Sequence, residues 1–335
     1  MKRILIAPLN WGLGHASRCL PLIVRHLRAG DEVVLAGDGE SLMMLTKRFP
    51  GLRAYPLAPL QLRYSSGNSQ VSAVIKMLPK LFIWAKADQQ ALQLILQRES
   101  FDLIISDNRP GLYSDRCTTA YITHQIRILM PRGWRWLEPL GQRLHALLIR
   151  RFSSCWIPDY ETEPNLSGAL SHTPPLPHNA RFIGPLSRFE YEEEEEAQEQ
   201  YDAVAILSGL EPQRTILEKQ LIAEYKQKQE SLLLIRGKIG GPQTAFHIAN
   251  GSALGITIQP TLSSSLMRTH LMRARTIISR SGYSSIMDYA ELGLIEKAQR
   301  GEVRLRLIPT PGQPEQEYLA KKWNTNAQSK ISHSP

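Results

Sequence analysis

Cysteine is scarce in this 335-residue chain: Cys19, Cys117 and Cys155 lie far apart and in no CxxC spacing. That excludes a disulfide framework and a cysteine zinc site, and it suits a reducing compartment. Nowhere is there the ~18-residue apolar run that a bilayer span needs. The opening, MKRILIAPLN, is basic, but its apolar stretch covers only residues 4–9, too short for a secretory address. The expected location is therefore the cytoplasm, at most peripheral on the inner face of the membrane. No D-x-D pair is present, so the sequence demands no divalent ion and offers no metal site, and no Walker lysine follows a glycine loop.

Acid is also in short supply, with 31 Asp and Glu against 40 Lys and Arg for a net charge of +9. Seven of those acids, Glu190, Glu192 to Glu196 and Glu199, sit in one run, so the rest of the chain carries +16. Such a surplus suits polyanions: phosphorylated small molecules, anionic headgroups or nucleic acid. Nucleic acid has only the net charge in its favour and is not an expected partner. An apolar content of 42% with 21% charged residues excludes disorder, collagen and coiled coil. The length suits two domains of roughly 100–200 residues each.

A block of like charge repels itself and stays solvated, which makes residues 187–200 the natural linker. The domains are then 1–186 and 201–335. In the first, a strand at 3–9 (RILIAPL) runs through the loop WGLG into a helix at 15–30 and a strand DEVVLAGD; a helix at 87–100 then leads into the strand FDLIISD, 101–107. A last short strand, RFIGPL, precedes the acidic run. In the second, strands at 203–208, SLLLIRG, GITIQP (255–260), 275–282 and 303–310 alternate with helices at 214–229, LSSSLMRTHLMRA and SSIMDYAELG. Strands that alternate with helices predict an α/β fold with two doubly wound, parallel-sheet, Rossmann-like domains.

Ligands of open parallel sheets bind at the carboxyl ends of the strands, where glycine loops and helix N-termini aim N–H groups outward. Three such ends stand out. The first, LNWGLGHASR, has Gly12 and Gly14 for close backbone approach and His15 at the mouth of a helix. It is a partial dinucleotide fingerprint, with Asp38 at the end of the next strand, so nicotinamide binding is one reading and a solvated histidine another. The second, SRSGYSSIMDYAELG, combines Arg280, Ser281, Gly282, Ser284 and Ser285 as a phosphate cradle, with Asp288 placed to accept from ribose hydroxyls. A plain capped helix with Asp288 on a solvated face fits the same spacing. The third, IPTPGQPEQEYLA, carries Glu315 and Gln316 after a proline-rich turn.

These loops, in this order, resemble the GT-B glycosyltransferases, specifically the family 28 and family 1 group that includes the lipid-linked muramyl-peptide N-acetylglucosaminyltransferase and the UDP-glycosyltransferases. The resemblance covers essentially the whole chain. It rests on Gly12–Leu13–Gly14–His15, on Arg280, Ser281 and Gly282 with Asp288 six residues beyond, on Glu315–Gln316, and on Ser208–Gly209. It implies an acceptor in the N-terminal domain, a nucleotide-diphosphate sugar, a UDP-sugar for choice, in the C-terminal one, and chemistry in the cleft between. The nucleotide-sugar is then a substrate, and no cofactor is required.

On that reading His15 is the candidate base and Asp107 the carboxylate that supports it, as an Asp after a similarly placed strand does in family 1; a structural cap is the other role open to Asp107. If the acceptor is itself a phosphate or carboxylate, His15 only binds it. Arg280 and the N–H groups of 282–285 would hold the diphosphate, with Arg236 and Lys238 as helpers. Residues 126–151 carry six arginines against Glu138 alone, interleaved with Trp134, Trp136 and leucines. That composition suits an anionic membrane surface, or equally a helix covering the sheet with snorkelling arginines. Residues 295–302 read as an insertion, and the chain stops soon after KKWNTNAQ, where relatives carry further helices, so the second domain reads as truncated. The competing functions are a GT-B-type nucleotide-sugar epimerase, a nicotinamide oxidoreductase and a degenerate, non-catalytic sugar-nucleotide binder.

Overall fold

The computed structural model describes residues 1–60, 70–130, 132–197, 199–209, 211–237, 244–246 and 255–324. It divides into two compact units, Met1–Ser187 and Arg188–Pro335.

In the first unit the chain runs β1 (Arg3–Pro8), α1 (Leu13–Arg28), β2 (Glu32–Gly37), α2 (Gly39–Arg48), β3 (Arg53–Pro56), α3 (Gln70–Arg98), β4 (Leu103–Asp107) and β5 (Thr118–Ile122). A 3-10 turn (Arg132–Leu137), α4 (Glu138–Ile149), β6 (Ser154–Ile157) and β7 (Ala180–Phe182) complete it. The seven strands lie in the order β3-β2-β1-β4-β5-β6-β7, and every pair is parallel. Strands covered on both faces must be apolar at consecutive positions. β1 accordingly buries Ile4 to Pro8 without a break, and Leu5 and Ala7 pack with Val34, Ala36, Leu92 and Ile104 in one cluster.

Helix α1 starts two residues before the predicted position, which puts Gly14 and His15 inside its first turn. Gly12 enters it at φ +78°, a left-handed conformation that costs glycine little. Helix α3 starts far upstream of residue 87, continues through Pro79 and spans 29 residues.

The second unit runs β8 (Ala203–Ile206), α5 (Gln213–Lys228), β9 (Leu232–Ile235), β10 (Thr244–Phe246), β11 (Ile256–Gln259), α6 (Ser264–Arg273), β12 (Thr276–Arg280), α7 (Tyr283–Glu291), α8 (Leu294–Gln299), β13 (Arg304–Ile308) and α9 (Pro314–Trp323). Its sheet has the order β10-β11-β9-β8-β12-β13, parallel except for the antiparallel edge strand β10. Ala203, Ala205, Leu217, Leu221, Leu232, Leu234, Ile256 and Ile278 form the core between sheet and helices. The segment expected as an insertion, 295–302, is largely α8, started by Gly293 at φ +65°.

The acidic run lies along α6. Glu192 accepts from Ser265 Oγ at 2.9 Å, and the Glu195 carboxylate accepts from Ser263 Oγ at 3.1 Å. Thr269 Oγ1 donates to the Glu195 carbonyl at 2.7 Å. Carboxylates gathered at the first turn of a helix face the positive end of its dipole, so α6 gives part of this charge a stabilising partner. The polar tail after residue 324 lies outside the described residues.

Candidate functional site

Each sheet has a topological switch point. In the first it lies between β1 and β4, and in the second between β8 and β12. Chain connections diverge there and leave a crevice at the carboxyl ends of the strands.

At the first switch point β1 and β4 run in register with Pro8 opposite Asp107, and the Leu9 N–H donates to the Asp107 carbonyl at 2.9 Å. The glycine loop leaves β1 and turns into α1, which carries His15 as its third residue. His15 Nδ1 lies 3.1 Å from Asp107 Oδ1, so the two residues named from sequence meet. His15 keeps 17% of its side chain exposed, whereas Asp107 is fully buried. Burial by itself would raise the Asp107 carboxyl, but Arg18 and His15 outweigh it and pull it down to about 2. Burial is the main cause that lowers the His15 imidazole, against the opposing pull of Asp107 and with further help from Arg18. The N-terminal position works in the same direction, because the helix dipole disfavours a cation there.

Sequence reasoning missed Arg18, which is 1% exposed and grips Asp107 through Nε, 2.6 Å from Oδ2, and through Nη2 to Oδ1. The signal was its place three residues after His15, on the same helix face. It also missed Arg109, fully buried just past β4. Arg109 donates to Asp88 on α3 at 2.8 and 3.0 Å and to Asp38 at 2.6 Å, and its guanidinium lies 4.9 Å from the centre of the Trp84 ring. Asp38 also accepts from Asn10 Nδ2 at 3.1 Å, so the acid that a dinucleotide reading assigns to a ribose is occupied in holding the glycine loop.

At the second switch point Ser208–Gly209 follows β8, and Arg280, Ser281 and Gly282 end β12. Gly209 has φ +92°, and a Cβ added there or at Gly282 would meet nothing within 4 Å, so both backbones face open space. Gly282 caps α7, and in its first turn the Ser285 N–H donates to the Gly282 carbonyl at 3.1 Å. Arg280, expected to hold a diphosphate, is buried and donates through Nη1 to the Pro309 carbonyl at 3.0 Å and through Nη2 to the Gln213 carbonyl at 2.7 Å. Its Nε is buried without a partner among the described residues. Burial lowers its pKa from the ordinary value.

The Ser281 hydroxyl donates to the Gln316 carbonyl at 2.7 Å, and the Gln316 side-chain oxygen accepts from the Thr310 N–H at 2.8 Å. Those two bonds bring the start of α9, with Glu315, beside the Ser-Gly loop. Asp288 is buried and accepts from the Arg188 N–H at 3.2 Å and from Arg188 Nε at 2.8 Å, so its carboxylate ties the unit's first residue to α7. Arg236 is paired with Glu218 on α5, and Lys238 lies outside the described residues. Among the described residues no group of three or more His, Cys, Asp or Glu side chains is placed to hold a metal ion.

Solved structures share this architecture across nearly the whole chain. The glycotransferase of kitacinnamycin matches with a TM-score of 0.59 at 16% identity, over 96% of this chain and 84% of that one. The calicheamicin glycosyltransferase matches at 0.56 and 12% identity, over 98% and 82%. A putative UDP-N-acetylglucosamine 2-epimerase from Listeria monocytogenes matches at 0.55 and 11%, over 96% and 86%. The fold is GT-B. No protein-family model and no curated protein matches the sequence. GT-B is an architecture that hosts more than one chemistry, so the groups at the two switch points, rather than the fold, decide function.

Proposed function

We propose that this GT-B protein is a metal-independent hexosyltransferase that moves a hexosyl group from a nucleoside-diphosphate sugar, a UDP-sugar, to an acceptor hydroxyl. The observation that carries the reading is the meeting of His15 and Asp107 at the first switch point. With its proton on Nδ1, against Asp107, the His15 ring has a lone pair on Nε2 to take the acceptor proton. The acceptor oxygen then bonds to the anomeric carbon as the bond from that carbon to the diphosphate breaks, and the diphosphate leaves with the electron pair. The N-terminus of α7, capped by Gly282, suits that developing charge through the positive end of its dipole. Arg280 contributes by fixing the loops around them through Pro309 and Gln213. Glu315 and Gln316 are the groups assigned to the donor sugar, and Asp288 anchors α7 through Arg188.

A thermal-shift panel tests the donor class. UDP or another nucleoside diphosphate at 100 times its dissociation constant should stabilise the protein by about 2.7 kcal/mol. Stabilisation by NAD(P) alone overturns the reading. The similarity to a putative 2-epimerase favours one alternative, which incubation with the UDP-sugar alone separates: an epimerase converts the sugar without an acceptor. Stabilisation by nucleotide without turnover in either assay marks a non-catalytic binder.

The acceptor is proposed to be lipid-linked, with the protein peripheral on the cytoplasmic face of a membrane. Trp136, Leu140, Leu144 and Leu147 are all about half or more exposed, at 72, 55, 49 and 50%. Those on α4 recur at helical spacing, and Arg135, Arg143 and Arg150 are exposed among them. Apolar groups flanked by cations suit an interface of anionic lipid, although no described helix is long and apolar enough to cross one. In liposome flotation the protein should rise with anionic vesicles, less so at high salt, and Leu140→Ser with Leu144→Ser should reduce it severalfold. No flotation, or flotation indifferent to salt, counts against this surface.

A further inference from the structure

Arg18 is the charged neighbour of His15 that the proposed chemistry leaves without a task. Beyond its fork on Asp107, its Nη2 lies 2.8 Å from His15 Nδ1, and its Nη1 lies 3.2 Å from His124 Nδ1, just after β5. The Asp107 Oδ1 atom that Arg18 grips is the same atom that lies 3.1 Å from His15 Nδ1. One ring nitrogen thus has both a carboxylate and a guanidinium within reach.

A guanidinium is donor-only and keeps its proton throughout the accessible pH range. A proton on His15 Nδ1 would set donor against donor at the shorter of the two contacts. An Nδ1 lone pair instead accepts from Nη2, and the ring proton then sits on Nε2. We propose that Arg18 is a positioning residue that decides which ring nitrogen of His15 carries the proton, holding the resting ring with Nδ1 as acceptor and Nε2–H outward. This rests on the reading of His15 as the reacting group. Base catalysis needs the other tautomer, so Arg18 holds the base in reserve.

A route to the active tautomer is present. Asn108 follows β4 at φ +55°, and in the orientation that satisfies its own hydrogen bonds its amide oxygen lies 3.3 Å from Arg18 Nη2. When the guanidinium tilts so that Nη2 donates to Asn108 instead, Nδ1 is free to take a proton and to hydrogen-bond through it to Asp107. The ring loses one proton from Nε2 to solvent and gains one from solvent at Nδ1, so its charge does not change. The charged and titratable groups that act on the ring are Asp107 from β4, Arg18 from α1 and His124 from the segment after β5. Burial, with Arg18 and His124 acting against Asp107, holds the ring below its ordinary range and so keeps it uncharged for either tautomer.

Ring-nitrogen NMR on the 15N-labelled full chain tests this without recourse to turnover. The wild type should show His15 with Nε2–H above its titration. Arg18→Met should move the proton to Nδ1 and raise the titration midpoint, because Asp107 is freed to pair with the ring. Asp107→Asn should keep Nε2–H and lower the midpoint, because the guanidinium then acts unopposed. Opposite shifts from the two variants are not expected of residues that merely support the fold.

If Arg18→Met fails to fold around an unpaired Asp107, the double variant with Asp107→Asn removes both charges. It should show the tautomer mixture of a free imidazole. Nδ1–H in the wild type, or an unchanged Nε2–H population in whichever Arg18 variant folds, overturns the proposal. Undiminished turnover in His15→Ala would remove the base assignment and leave the tautomer result standing, so the two failures are distinguishable.

Discussion

Arg109→Met should destabilise the first unit by about 3–5 kcal/mol, the range for stripping one partner from a buried ion pair. The guanidinium is fully buried and bonds Asp88 on α3, Asp38 at the end of β2 and the Ala58 carbonyl after β3. Removing it leaves two carboxylates in an apolar interior with no cation between them. Burial already raises the Asp88 carboxyl against the pull of Arg109, so that residue gains most by taking up a proton in the variant. Urea denaturation of the variant beside Arg300→Ala makes the comparison. Arg300 pairs with Glu302 on the surface, where solvent and salt screen the pair and its loss changes stability little. Equal midpoints for the two variants would show that the Arg109 cluster does not hold the unit together. Asp38 also fixes Asn10, so partial loss of the Arg109 contacts should loosen the glycine loop before the sheet.

His15→Ala should lower turnover by about 10²–10⁴-fold, the usual contribution of a positioned general base, while nucleoside-diphosphate binding persists. The two effects separate because His15 belongs to the first sheet and the proposed donor groups to the second. The substitution leaves the Arg18–Asp107 fork in place, so the unit should stay folded. Thermal melts with and without UDP check both points. Undiminished turnover would sink the base assignment.

The pH profile follows from the same contacts. Only the uncharged ring is a base, and burial holds His15 below 6.5 despite Asp107, so the acid limb of kcat/KM should fall below that value. Stability has the same sign. A histidine whose folded value is lowered leaves the unfolded chain binding more protons, and stability declines as pH falls through the ordinary histidine range. Asp107 adds a second loss at lower pH. Its stabilising contribution is complete above the ordinary 3.8 and disappears as pH falls through about 2.

Much of the fold was legible because its signals are local. Strands β1, β2, β4, β8, β9, β11, β12 and β13 are short apolar runs ending in turn residues, and the glycine loops mark where helices begin. Strand β5, with TTAYI, and the four-residue β3, with RAYP, have no clean period, and they form because neighbouring strands pair with them. The helix expected at 87–100 starts at Gln70 instead and runs through Pro79, a residue that ordinarily breaks a helix.

At the candidate sites the loops and the His15–Asp107 contact followed from motif order, but the partners of the buried charges did not. Arg18 meets Asp107 across 89 residues, Arg109 meets Asp38 across 71, and Arg188 meets Asp288 across 100. Arg280, which reads as a ligand-binding cation, serves two backbone carbonyls instead. By itself, the sequence determined which loops stand at the strand ends and which of their residues have polar chemistry to offer, since glycine, serine, histidine and carboxylate act through local geometry. Only the tertiary structure decided which of those groups are occupied. A buried charge must take whatever opposite charge or carbonyl the packed sheets bring within reach, and that depends on strand order rather than on neighbours in the chain.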